Sequence, residues 1–337
     1  MKKWSALCLG ALLIMALLTG CGTKSEKDVI NDLNKRYENI NSYTTDAVMT
    51  FQHNGKKQTY QVTISYKKPS FYKVALSDGK KENKQMILKN KEGVFVLTPE
   101  LNKSYRFDSD WPNNRSQAYL YHSLAKDILN DPNPGFTAKD NHYVFKTKTN
   151  YNTTQLANQS ISLKKDLTPE NVQIKDKDQN VVVSVKFKTF KINPSIADKT
   201  FDVKQNMTAA RISKSQTTTA ENKNNASPKL LYPTAVLSGT KLATVKPEST
   251  QIGDRYVLKY TGKKPFTLIE TRSQTALSSV PTIATGSPEN LGFAIGSIGD
   301  NSLSWSHGGT DYYLASDKLT QDELMTIAQS VNGTLTK

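Results

Sequence analysis

The chain has 337 residues, 36% of them hydrophobic, and 45 Lys and Arg against 30 Asp and Glu give a net charge of +15. That length suits two domains, and with only Cys8 and Cys21 present neither a disulfide framework nor a cysteine-built zinc site is available. The basic residues are scattered along strands and turns, with no compact basic helix or aromatic-basic alternation, which excludes nucleic acid as the expected partner and points to anionic lipid headgroups or wall polymers.

Residues 1–20 read as a signal peptide. Lys2 and Lys3 open it, an apolar run spans 6–18, and Thr19-Gly20 form a small-residue exit. The run is shorter than the about 20 apolar residues a permanent span needs. Leu18-Thr19-Gly20-Cys21 resembles the lipobox of bacterial lipoproteins, which implies cleavage before Cys21 and a diacylglycerol on its thiol. With a palmitate-type anchor contributing about 0.8 kcal/mol per buried methylene, the expected location is the extracellular face of the cell membrane. Cleavage removes Cys8, Lys2 and Lys3, leaving Cys21 without a thiol partner and the mature chain at +13.

After a short tether, Ser25 is a candidate N-cap with Asp28 three residues on, and Ile30, Leu33, Tyr37 and Ile40 recur at helical steps to about Asn39. The period then changes to two. Tyr43, Thr45, Ala47, Met49 and Phe51 share one strand face, Asn54-Gly55 marks a hairpin, and Tyr60, Val62, Ile64 and Tyr66 share the face of the return strand. Further strands are predicted at 71–76, 84–89, 93–97 and 104–107. After Trp111-Pro112, residues 116–130 carry helical spacing through Tyr119, Leu120, Leu124 and Ile128, stopped by Asp131-Pro132-Asn133-Pro134-Gly135. Strands resume at 143–145, 160–163, 172–175 and 181–190.

Composition shifts to Ser, Thr, Asn, Gln and Lys over 204–229, which reads as a linker between a first domain at 21–203 and a second at 230–337. In the second, strands are predicted near 241–245, 256–260 and 266–271, then a small-residue loop over 273–290 and a hairpin around Gly308-Gly309. Thr320-Gln321-Asp322-Glu323 is a capping box, Leu319 and Leu324 a hydrophobic staple, and Gly333 a candidate helix stop.

Catalytic signals are weak. His53, His122, His142 and His307 lie in no metal or nucleophile spacing. The S-x-x-K spacing recurs along the chain, as at Ser65, Ser77 and Ser162 in strands and turns, as a Lys-rich chain produces by chance. Asp78 with Glu82, and Asp108 with Asp110, sit in turn-like surroundings with nothing to raise one carboxylate's pKa. No catalytic residue, metal ligand or cofactor is therefore assigned, and a non-enzymatic role is expected.

The stretches Leu33…Arg36-Tyr37…Ile40, Tyr66-Lys67-Lys68-Pro69-Ser70-Phe71, Trp111-Pro112 and Gln117-Ala118-Tyr119-Leu120…Leu124-Ala125-Lys126-Asp127-Ile128-Leu129 resemble the LolA-like carrier group, in its Gram-positive lipoprotein and sporulation-associated branch. The resemblance runs from Asp28 to about Val203. The stretch Trp305…Gly308-Gly309-Thr310-Asp311-Tyr312-Tyr313-Leu314 and the helix after it resemble a small domain also found at the end of some anti-sigma factors. The resemblance implies an α+β fold: a curved antiparallel sheet forming an incomplete β-barrel, plugged by helices, then a small α+β second domain. It implies Trp111, Tyr119, Leu120, Leu124 and Ile128 in the plug and Phe51, Val62 and Ile64 along an apolar cavity that takes a lipid, an acyl chain or a lipoprotein tail. The rival expectation is an envelope sensor that contacts an anti-sigma factor or another membrane protein through its C-terminal domain.

Overall fold

The computed structural model describes residues 24–53, 56–79, 84–151, 156, 158–215, 230–235, 237–251, 253–278 and 280–333. The signal peptide, Cys21 and the Asn54-Gly55 turn lie outside them.

Helix α1 (Glu26–Asn39) is capped by the Ser25 side chain, which accepts a hydrogen bond from the Asp28 N–H, and it buries Val29 and Leu33. A meander of β1 (Ser42–His53), β2 (Lys56–Lys67), β3 (Phe71–Ser77), β4 (Gln85–Asn90), β5 (Gly93–Thr98) and β6 (Lys103–Phe107) follows. His53 pairs with Lys56 at the end of the β1–β2 register. After helix α2 (Tyr121–Asn130) come β7 (Gly135–Ala138), β8 (His142–Lys148), β9 (Asn158–Lys164), β10 (Pro169–Lys175) and β11 (Val181–Ile192). Strand β11 returns to pair with β1, giving the order β6-β5-β4-β3-β2-β1-β11-β10-β9-β8-β7. A bulge at Asp46/Ala47 breaks the β1–β11 register, and such bulges sharpen the twist. The sheet curves but stays open: β6 and β7 do not meet.

Alternation decides which side is buried. Tyr43, Ala47, Met49 and Phe51 of β1 and Tyr60, Val62, Ile64 and Tyr66 of β2 all turn into one core, where α1 and α2 cover them. Each fully buried side chain of this size contributes about 1.5–3 kcal/mol. Strands β4 and β5 behave differently. Ile87, Val94 and Val96 face that core, while Met86, Leu88, Phe95 and Leu97 form a second cluster on the convex side. Burial on both faces explains their unbroken apolar runs.

Two predicted boundaries move. The helix expected from Ser116 begins only at Tyr121, because the polar groups ahead of it bond elsewhere: the Ser116 hydroxyl donates to Asp127 (2.9 Å) and the Gln117 N–H donates to the Ser123 hydroxyl (2.7 Å). Residues 204–215, predicted as linker, belong to helix α3 (Val203–Ser215), which is held where buried Met207 joins the convex cluster. Residues 216–229 lie outside the described segments.

The second half holds β12 (Tyr232–Pro233), β13 (Thr240–Thr250), β14 (Gly253–Gly262), β15 (Phe266–Arg272), β16 (Thr282–Ala284), β17 (Ser287–Asn290), β18 (Ile295–Ile298), β19 (Ser302–His307), β20 (Thr310–Ala315), α4 (Gln321–Gln329) and β21 (Val331–Gly333). Seven of these strands form a sheet ordered β13-β14-β15-β20-β19-β18-β17. Gly308 and Gly309 both take positive φ, +57° and +77°, as the tight β19–β20 turn requires. Thr320 and Glu323 form the predicted capping box at α4. Gly333 does not stop α4; Ser330 does, and Gly333 pairs with Tyr232 in a two-stranded sheet.

The expected loop at 273–290 contains β16, which pairs in parallel with β6 and becomes the outer strand of the large sheet. Further bonds join the halves. Lys103 pairs with Asp311 (2.5 Å), the Gln85 side chain accepts from the Ile295 N–H (2.8 Å), and Asn102 donates to the Ala276 carbonyl (2.8 Å).

Candidate functional site

All eight residues proposed for the plug and cavity are buried in a single core cluster: Phe51, Val62, Ile64, Trp111, Tyr119, Leu120, Leu124 and Ile128. They are brought together, but they fill the concavity of the sheet with their own side chains. The apolar void beside them is about 50 Å³, bordered by Phe51 and Tyr119 with Met325 and Gln329 of α4. That is room for one or two water molecules, well short of an acyl chain. The second half closes this end. Phe293 packs on both cores, and Gly292, with φ +89°, lies so close to the Phe51 ring that a Cβ there would stand 2.6 Å from it.

The large open space lies at the helical end. A cleft of about 730 Å³ is bounded by the end of α1, the β2–β3 junction, the segment around Pro112–Ser116, one side of α2 and the loop after it. Tyr37, Ile40, Tyr66, Tyr72, His122 and the prolines 69, 112 and 132 give it an aromatic and apolar lining. None of the eight sequence-predicted residues lines it; their chain neighbours do.

His122 sits in an aromatic nest. Its ring centroid lies 4.2 Å from that of Tyr66, 5.2 Å from Tyr37 and 5.7 Å from Tyr43, the last in stacked orientation. Burial, reinforced by the Lys68 cation, pushes its pKa down to about 4, so the ring is neutral at physiological pH. Its Nδ1 is buried and makes no hydrogen bond. Burial also pushes the Tyr66 hydroxyl up to about 12, with Tyr37 adding to the shift. Sequence reasoning assigned His122 no role, because an isolated histidine carries no local motif; its position directly after Tyr119-Leu120-Tyr121, two residues before the core face resumes at Leu124, was the available signal.

Three acids, Glu38, Asp127 and Asp131, and four cations, Lys68, Arg115, Lys126 and Lys148, line the cleft, and the Glu38 carboxylate accepts from the Asn34 side chain (3.3 Å). Asp127 accepts from Ser116 (2.9 Å) and Gln159 (2.7 Å); burial raises its pKa and those two bonds oppose the rise. Asp131 accepts from the backbone N–H groups of Asn133 (3.0 Å) and Lys148 (3.1 Å). Lys68 donates to the Glu38 carbonyl (3.0 Å). Arg115, Lys126 and Lys148 line the cleft and form no ion pair with any described residue.

The described residues thus combine an open, curved antiparallel sheet, helices that fill its concave face and a roomy cleft at the helical end. A family model described as "Sporulation protein YdcC-like" matches residues 2–201. Sporulation protein YdcC of Bacillus subtilis (strain 168) is 42% identical over 338 residues, covering 100% of this chain and 99% of that protein. The chain belongs to the YdcC-like sporulation protein family. Among solved structures, MucB is similar at 12% identity and a TM-score of 0.35, over 92% of this chain and 98% of that one. A LolA superfamily protein from Nitrosomonas europaea is similar at 11% identity and a TM-score of 0.30, over 53% and 98%. At such scores the likeness in shape is loose.

Proposed function

We propose that this is an exported binding protein, held on the extracellular face of the cell membrane by lipid on Cys21, that takes a lipid, an acyl chain or a lipoprotein tail without catalysis. The ligand enters the cleft at the helical end, and the filled concavity of the sheet serves as its support. The carrying observation is the contrast in space: about 730 Å³ in the cleft against about 50 Å³ in the sheet interior, the former within the about 300–1,000 Å³ typical of ligand sites. A non-catalytic role accords with the cleft's polar groups, since the Ser123 hydroxyl is engaged by the Gln117 N–H and both Asp127 oxygens are bonded.

The test is native mass spectrometry of the chain from Gly22 onward, which keeps every described element, purified from a bacterial envelope and then extracted with organic solvent. A bound amphiphile is expected, and Asn113→Trp should remove it, because Asn113 is exposed at the cleft and an indole there fills the opening. A clean apo mass, or the same amphiphile retained by Asn113→Trp, would overturn the reading.

A second reading, contact with a membrane protein through the C-terminal half, is favoured by Leu277, Val280 and Ile283, three large apolar residues left exposed in and just before β16. Replacing all three by Ser should abolish any in-cell crosslink to a membrane partner; an unchanged crosslink pattern would count against it.

A further inference from the structure

We infer that the ligand of the cleft is an amphiphile whose head carries an anionic group, a phosphate or a carboxylate, on an apolar stem. This rests on the reading that the cleft is the binding site, and adds the chemistry it selects. Three observations converge on it. The first is the lining of Tyr37, Tyr66, Tyr72 and His122, which offers ring faces and edges to hydrocarbon. His122 is neutral there and its rings pack without charge, so this part of the cleft suits a stem and not a second cation.

The second observation is an imbalance among the charges. Asp127 and Asp131 have both carboxylate oxygens bonded inside the protein, while Arg115, Lys126 and Lys148 have no acidic partner among the described residues. With four lining cations, Lys68 included, against the three acids Glu38, Asp127 and Asp131, and one Glu38 oxygen taken by the Asn34 side chain (3.3 Å), the cleft keeps an excess of positive charge. A guanidinium and two ammonium groups lining one cleft match a phosphate or carboxylate, to which Arg can bond in bidentate fashion. The third is the buried Nδ1 of His122, which lacks a hydrogen-bond partner. Such an atom is costly to leave alone, and a polar atom at the junction of head and stem would satisfy it.

The experiment measures binding of monomeric probes to the chain from Gly22 onward by calorimetry: dodecyl phosphate, laurate, zwitterionic dodecylphosphocholine and inorganic phosphate. Dodecyl phosphate or laurate should bind at least about tenfold tighter than dodecylphosphocholine, the factor that a single charge-assisted hydrogen bond supplies. Which of the two anions is preferred distinguishes a phospholipid from a fatty acid as source. The preference should weaken with salt and collapse in the Arg115→Gln/Lys126→Gln/Lys148→Gln variant, with the melting temperature unchanged.

Equal affinity for anionic and zwitterionic probes would overturn the inference while leaving the cleft as a site. Displacement of dodecyl phosphate by inorganic phosphate at equal concentration would also overturn it, by showing that the stem contributes nothing. Failure of every dodecyl probe and laurate to bind would sink the inference together with the cleft reading beneath it.

Discussion

Glu270 in the centre of β15 is fully buried, with one carboxylate oxygen accepting from the Leu231 N–H at 3.0 Å and the other left without a partner. Burial lifts its pKa from 4.5 to about 7, against the opposing pull of the Leu231 bond. An acid with a raised folded-state pKa holds its proton more tightly when folded, so its contribution is complete below about 4.5 and is lost as pH rises through about 7. At about 1.4 kcal/mol per pH unit, that interval amounts to about 3 kcal/mol. Glu270→Gln keeps the shape and an acceptor for Leu231 but carries no charge. The variant should match the wild type near pH 4.5 and exceed its stability by about 1–3 kcal/mol at pH 8.5. Urea unfolding at both pH values measures this, with Trp305 reporting locally from its stack on Tyr312. Other titrating groups act equally in both proteins and cancel in the difference. A wild-type-to-variant gap that stays constant from pH 4.5 to 8.5 would refute the argument.

Gly292→Ala should destabilise the chain by about 2–4 kcal/mol, because the left-handed backbone penalises a side chain and the new Cβ meets the Phe51 ring. The urea midpoint measures it, and Phe51→Leu in the same chain should recover part of the loss; no recovery would mean that the clash is not the cause. Cys21→Ser should shift the protein from the membrane to the soluble fraction on cell fractionation, and continued membrane association would show that lipid on this residue is not the anchor.

Local sequence was sufficient wherever a nearby physical rule operates. The two-residue period of β1 and β2 named the buried face correctly at every strand position from Tyr43 to Phe51 and Tyr60 to Tyr66, because alternate side chains of a strand must point to opposite sides. The Ser25 and Thr320 caps were equally readable, since their partners lie three residues away. Family resemblance carried the reading from a set of strands to an open, curved sheet. What no local rule could supply is the relation between distant segments. Nothing in the spacing of residues 282–284 says that they will lie along β6, and nothing in the polar run after Val203 says that Met207 will find the convex face of β4 and β5.

The sequence by itself determined the basic charge, a sum over the chain, and the strand faces, the helix caps and the candidate anchor, which follow from residues within a few positions of one another. The tertiary structure alone decided that the apolar concavity would be filled and the usable space would open at the helical end. That outcome depends on side-chain volume meeting available volume: Trp111, Tyr119, Leu120, Leu124 and Ile128 occupy the interior, while Phe293 and Gly292 seal its far end. It also brought His122 into the ring cluster of Tyr37, Tyr43 and Tyr66, an arrangement assembled from α1, two strands and α2 that exists only once the chain has folded, and set Arg115, Lys126 and Lys148 on the same cleft with no ion pair to any described residue.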